Sequence, residues 1–261
     1  MKHISSADNP QFKALLKLVQ SARERRLAGY SLLDGAHLLD AYQRQVGVPE
    51  QLVLSPAGLE NAEIQALIER APHTPQVLLS NGLFKQLSSV ATPTGVITVV
   101  KTPRREGPPA KLDTCVMLED IQDPGNLGSI LRSAAGAGIR HICLSKTSVH
   151  SWSPRVLRAG MGAHFMLDIH EQCDLVAIAQ GFSGRVIATV KDSAASIYEM
   201  DLTGNIALIF GNEGQGITPE LQAQAHDRAS IPMPGAMESL NVGVAAGICL
   251  FEARRRRLTL K

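Results

Sequence analysis

The sequence predicts an α/β protein: a mostly parallel sheet with helices on both faces in the C-terminal half, preceded by a smaller α/β domain. Three observations carry this reading. Short apolar runs alternate with stretches of helical spacing along the whole chain. In the second half those runs show no apolar–polar alternation, as expected of strands buried on both faces. Between the halves, Lys101-Thr-Pro-Arg-Arg-Glu-Gly-Pro-Pro-Ala-Lys111 has three prolines, one glycine and five charges with no periodicity, the composition of a linker. The expected division is residues 1–100, a linker at 101–112, and a second domain over 113–261.

The elements follow in order. Asn9-Pro10 suits a helix start, with Asn as cap and Pro in the first turn. Phe12, Leu15, Leu16 and Val19 form the apolar stripe of that helix, and Arg23, Arg25 and Arg26 close it, cations that suit a helix C-terminus. Strands are expected at 30–33, 51–54, 76–79 and 95–100, with helices at 35–42, 60–70 and 82–87 between them. In the second half, strands are expected at 114–118, 141–144, 185–190, 206–210 and 229–231, and helices at 127–137, 153–159 and 174–180. A last helix is expected from Ser239, which can cap its first turn, with Leu240, Val244, Ile248 and Phe251 turned to a core.

Composition bounds the class. Of the 261 residues, 44% are hydrophobic and 19% charged, which is ample for packed cores. No apolar run reaches the roughly 18 residues of a membrane span, and the opening Met-Lys-His-Ile-Ser-Ser-Ala-Asp lacks the apolar stretch of a signal peptide. Cys115, Cys143, Cys173 and Cys249 are widely spaced with no Cys-x-x-Cys pair, so free thiols in a reducing cytoplasm are expected and a zinc site is not. Net charge is only +2, but residues 1–112 carry 13 Lys and Arg against 9 Asp and Glu. The front half is therefore the better electrostatic match for phosphate, although a solvated basic face explains so small an excess equally well.

Three stretches follow strand ends, where ligands bind in open α/β sheets. The first is Asp120-Ile-Gln-Asp-Pro-Gly-Asn-Leu-Gly-Ser-Ile-Leu-Arg-Ser-Ala-Ala-Gly-Ala-Gly138. Its Asn126 stands where a helix cap belongs, and capping alone would explain it. Arg132 sits in an apolar, small-residue helix, with Gly128 and Ser129 leaving the preceding turn open; it either reaches outward or meets a phosphate. The second is Gly211-Asn-Glu-Gly-Gln-Gly216, whose glycines permit close backbone approach but do not make a dinucleotide fingerprint. The third runs from Ile231 through Pro232 and Pro234 to Asn241, a proline-stiffened loop entering a helix.

Together, in this order, the three stretches resemble the motifs of the SpoU (TrmH-like) family of RNA ribose 2′-O-methyltransferases, over roughly residue 113 to the C-terminus. The resemblance implies a trefoil-knotted catalytic domain, S-adenosylmethionine as cofactor, no metal, and a homodimer. It places Arg132, Asn126, Glu213, Ser239 and Asn241 in the catalytic centre, and Gly211, Ile231, Leu240, Thr189 and Met233 around the cofactor. The front domain resembles the L30e-like substrate-binding domain that precedes many members. On it, Arg23, Arg25 and Arg26 are the expected RNA contacts, with ribosomal RNA favoured over transfer RNA. Arg132 is either a general base or an electrostatic clamp; a guanidinium stays protonated at usable pH, which weighs against the first. A tRNA-directed enzyme, a base-directed methyltransferase and a non-catalytic RNA-binding protein of the same fold are the competing readings.

Overall fold

The computed structural model describes residues 1–105 and 107–258. Residue 106, within the expected linker, and residues 259–261, at the end of the expected second domain, lie outside the described residues. The chain forms two compact units, Met1–Arg104 with Trp152–Phe165, and Arg105–Ser151 with the chain from Met166 on.

The first unit holds strands β1 (Lys2–Ile4), β2 (Tyr30–Asp34), β3 (Gln51–Leu54), β4 (Gln76–Leu79) and β5 (Val96–Lys101) in the order β1-β4-β3-β5-β2. β1, β4 and β3 run parallel, whereas β5 is antiparallel to both β3 and β2. Its helices are α1 (Pro10–Gln20), α2 (Ala22–Ala28), α3 (Ala36–Gln45), α4 (Pro56–Glu60), α5 (Ala62–Glu69) and α6 (Asn81–Leu87). The single helix expected to end in arginines is two: Ser21 breaks it and caps α2, its Oγ accepting from Glu24 N at 3.2 Å.

That break redirects Arg25. Only 4% of it is exposed, and its guanidinium donates to Leu18 O at 2.6 Å and Val19 O at 3.1 Å, closing the C-terminus of α1. The expectation that Arg25 contacts RNA is therefore corrected: its charge is spent on carbonyls, while Arg23 and Arg26 are exposed.

Residues 152–165, which chain order assigns to the second domain, are built into the first unit. There α8 (Pro154–Gly160) and a short 3-10 turn (Ala163–Phe165) bring Trp152 and Leu157 against Leu33, Leu38, Tyr42 and Val100. Phe165 meets Tyr42 edge-on at 5.3 Å, and Trp152 meets His164 at 5.2 Å. A cluster of that size holds the excursion in place.

The second unit is a six-stranded, fully parallel sheet. Its strands are β6 (Cys115–Leu118), β7 (His141–Ser145), β8 (Asp168–Cys173), β9 (Arg185–Thr189), β10 (Ile206–Phe210) and β11 (Asp227–Ala229), in the order β11-β9-β10-β6-β7-β8. The central strands are buried on both faces, which explains their unalternating sequence. One face packs on α9 (Leu175–Gly181) and α10 (Pro219–Gln222) through Met117, Ala188, Ile209, Leu175 and Leu221. The buried residues of α7 (Pro124–Ala137) and α11 (Val242–Leu258) cover the other.

Two expectations about the last stretch are corrected. α11 starts at Val242, not Ser239, and its first free N–H groups are capped by Asn241, whose Oδ1 accepts from Gly243 N at 2.9 Å and Val244 N at 3.3 Å. Nor do Leu240, Val244 and Phe251 turn inward: they are 37%, 52% and 52% exposed. The buried face is Gly243, Ala246, Cys249, Leu250 and Ala253. α7 offers small residues in return, so the helices approach closely; a Cβ on Gly243 would lie 3.4 Å from Ser129 Cβ.

Replacing Arg25 by alanine leaves the carbonyls at the end of α1 without their buried donors. Denaturant unfolding followed by circular dichroism should show a loss of about 1–3 kcal/mol.

Candidate active site

β11, β9 and β10 are parallel neighbours, so their carboxyl ends open on one side of the sheet. A cleft of about 380 Å³ lies there, within the range of small-molecule sites. All five residues expected around a cofactor line it: Thr189 at the end of β9, Gly211 after β10, and Ile231, Met233 and Leu240 on the segment after β11. Glu213 and Ser239 line it too.

The glycine loop is closed on itself. Asn212 N donates to Gly216 O at 3.0 Å, and Gly216 N returns a bond to Asn212 O at 2.9 Å. A Cβ on Gly211 would fall 2.3 Å from the Gly216 carbonyl, so only glycine fits there. The Asn212 side chain, unremarked in the sequence, organises the rest. Its Oδ1 accepts from Gly214 N at 2.8 Å and Gln215 N at 3.0 Å, while its Nδ2 donates to Asp120 O and Oδ2, both at 3.0 Å. Asp120 has φ 54°, a left-handed turn at the end of β6 that presents both acceptors. Beside it, Glu119 accepts from Thr218 N and Thr218 Oγ1, each at 2.7 Å. Both ends of the loop are thus pinned to the end of β6. An asparagine between glycines was the available signal.

The Thr189 hydroxyl donates to Ile209 O at 2.7 Å. With its proton committed, it offers a ligand only lone pairs.

The polar residues of the expected catalytic centre converge from three segments. Asp123, not Asn126, caps α7, accepting from Asn126 N at 2.7 Å. The Asn126 amide is thereby free. Its Nδ2 donates to Glu213 Oε1 at 2.8 Å, and its Oδ1 accepts from Asn241 Nδ2 at 2.9 Å. Asn241, Asn126 and Glu213 form one hydrogen-bonded chain leading into the cleft. Arg132 stands apart from it. It is exposed on α7, six residues or about 9 Å along the axis beyond Asn126, and makes no hydrogen bond or ion pair among the described residues. Ser239 lies in the cleft wall without entering the chain.

A family model described as the SpoU rRNA methylase family matches residues 113–251, the span that contains this whole constellation. The chain belongs to that family. A relative from Synechocystis, an uncharacterised tRNA/rRNA methyltransferase, is 33% identical over 259 residues, 97% of this chain and 94% of the relative. The 23S rRNA (guanosine(2553)-2′-O)-methyltransferase RlmP of Bacillus subtilis is 27% identical over 256 residues, 97% of this chain and all of RlmP (100%). Among solved structures, an AdoMet-bound rRNA methyltransferase from Sinorhizobium meliloti superposes with TM-score 0.82 at 26% identity, covering 97% of each chain. An RNA 2′-O ribose methyltransferase superposes with TM-score 0.80 at 29% identity, over 98% of this chain and 99% of the other.

The arginine run that ends α11 is mostly engaged within the unit. Arg255 and Arg256 pair with Glu252 at 2.7 and 2.8 Å, and Arg255 first of all holds that carboxyl below its usual range. Arg257 donates to Leu202 O, Gly204 O and Thr114 Oγ1 at 3.1, 2.9 and 2.6 Å.

Gly211→Ala forces a methyl into the Gly216 backbone and pushes the loop out of place. Calorimetry with S-adenosylhomocysteine should show affinity falling at least about tenfold in a protein that still folds by circular dichroism.

Proposed function

We propose that this chain methylates a ribose 2′-hydroxyl in structured RNA, ribosomal RNA above all, using S-adenosylmethionine. The observation that carries the reading is one junction: the cleft bounded by Gly211, Ile231 and Leu240 meets the Asn241–Asn126–Glu213 chain at Glu213. The names of the relatives support the substrate class, and the glycine cradle that a Cβ would fill supports the cofactor.

When bound, the cofactor supplies an activated methyl, so the protein has to orient the acceptor and manage charge. Asn126 and Asn241 are neutral and mutually bonded, so they set a direction without titrating. Asn126 aims the Glu213 carboxylate, which together with Ser239 orients the ribose hydroxyl at the cleft edge. Arg132 is the clamp. Its guanidinium is permanently charged, exposed and without an ion pair among the described residues, so an RNA phosphate beside the acceptor ribose can take its two-pronged donor face. Holding that phosphate also stabilises the oxyanion that develops as the hydroxyl passes its proton to the Glu213 carboxylate.

The first unit is the RNA-docking half of this reading, an L30e-like domain with exposed Arg23 and Arg26 near phosphate. The knotted chain path belongs to the same reading. So does a homodimer: the outward stripe of Val244 and Phe251 on α11 is an apolar face of the kind that a two-fold-related copy covers. Four free, buried thiols accord with a cytoplasmic setting.

Mass spectrometry of nuclease-digested RNA, after incubation with protein and labelled cofactor, should find a ribose-methylated nucleoside; a base-methylated product would refute the reading. Arg132→Ala should lower methyl transfer by about 100-fold or more while calorimetric cofactor affinity stays unchanged. Phe251→Glu puts a charge in the proposed two-fold contact, and light scattering should then find a monomer where the unaltered chain gives a dimer.

A further inference from the structure

Three charged residues that neither the motifs nor the proposed chemistry use line the same cleft. Lys191 and Asp192 follow β9 after Val190, and Arg228 lies on β11. The two segments are tied together: Ser193 Oγ donates to Arg228 O at 2.9 Å, and Ser230 Oγ donates to Ser193 O at 2.9 Å. Their side chains are therefore presented from one wall, at the β9–β11 edge of the sheet. Glu213 follows β10 and its partner Asn126 follows β6, the two central strands. Among the described residues, none of the three side chains forms an ion pair or a hydrogen bond. Two cations and one anion, exposed along one cleft and without an ion pair among the described residues, complement a zwitterion.

The donor proposed for this cleft carries one. Its adenosine is uncharged and suits the apolar surfaces of Phe210, Ile231 and Leu240. Its amino-acid tail ends in a carboxylate and an ammonium. We propose that Lys191 and Arg228 hold the carboxylate of that tail and Asp192 its ammonium. The three residues would thus select an amino-acid-bearing nucleoside over a bare thionucleoside. The assignment rests on the cleft being a cofactor site. It adds full charges of both signs to the backbone and apolar groups that wall the cleft. Charge-assisted bonds to a carboxylate are about twice as strong as neutral ones, so the pair dominates that distinction.

The test compares two uncharged-sulfur ligands that share the adenosine. S-adenosylhomocysteine has the amino-acid tail and 5′-methylthioadenosine does not. Calorimetry on the full chain should show the Lys191→Ala/Arg228→Ala variant losing about tenfold or more for S-adenosylhomocysteine and less than about twofold for 5′-methylthioadenosine. Asp192→Asn should weaken the first ligand selectively as well. Added salt should erode S-adenosylhomocysteine binding more than 5′-methylthioadenosine binding in the unaltered protein. Equal losses for both ligands would mean the substitutions deform the cleft, and no loss for either would mean the cations do not touch the tail; each overturns the proposal. So does a variant that binds S-adenosylhomocysteine normally but RNA poorly, since the cations would then serve phosphate. If the unaltered chain binds neither ligand, the reading of the cleft as a cofactor site fails, and this assignment with it.

Discussion

The side-chain amide of Asn126 is the join on which the site depends. It donates to Glu213 and accepts from Asn241, so one planar group links α7, the glycine loop and the entry to α11. It can do so because Asp123 takes the capping duty, leaving both ends of the amide free. An amide is well suited to this position: it gives and takes a hydrogen bond at once and keeps no charge that would shift with pH. The carboxylate it steers is thereby held at the edge of the cleft.

The join is possible only because the surrounding backbone approaches so closely. Gly211 lies against Gly216, Gly243 against Ser129, and a Cβ on Gly247 would lie 3.6 Å from Ser133 Oγ. Small residues on α7 and α11 bring the helix that carries Asn126 and Arg132 beside the one that follows Leu240 and Asn241. Val244 and Phe251 of α11 remain half exposed beside this packing. They are therefore an outer apolar surface of the last helix, the face that the proposed homodimer would cover.

Much of the architecture was legible in the residues. The strands at 51–54, 76–79 and 206–210 were readable to the residue because they are apolar runs with clear flanks, and the glycine and proline-rich loops identified the cleft. What escaped has a common cause. β1 and β8 are edge strands, and Lys-His-Ile and Asp-Ile-His-Glu-Gln-Cys carry too little apolar signal to stand out. Arg25 reads as one cation among three, yet Ser21 breaks the helix and turns that one onto the carbonyls of α1. Lys191, Asp192 and Arg228 look like ordinary loop and strand charges until β9 and β11 are set side by side.

Local order alone determined the fold class, the three loops that gather at strand ends, and the residue types in them, because hydrophobic period and turn chemistry act over a few neighbours. Only the tertiary structure decided which face of α11 is buried, and that residues 152–165 leave the second unit to complete a core in the first. Those outcomes turn on contacts between segments a hundred or more residues apart, such as Asn126 with Asn241, and free energy at that range is settled by which surfaces can close without a void or an unpaired polar group.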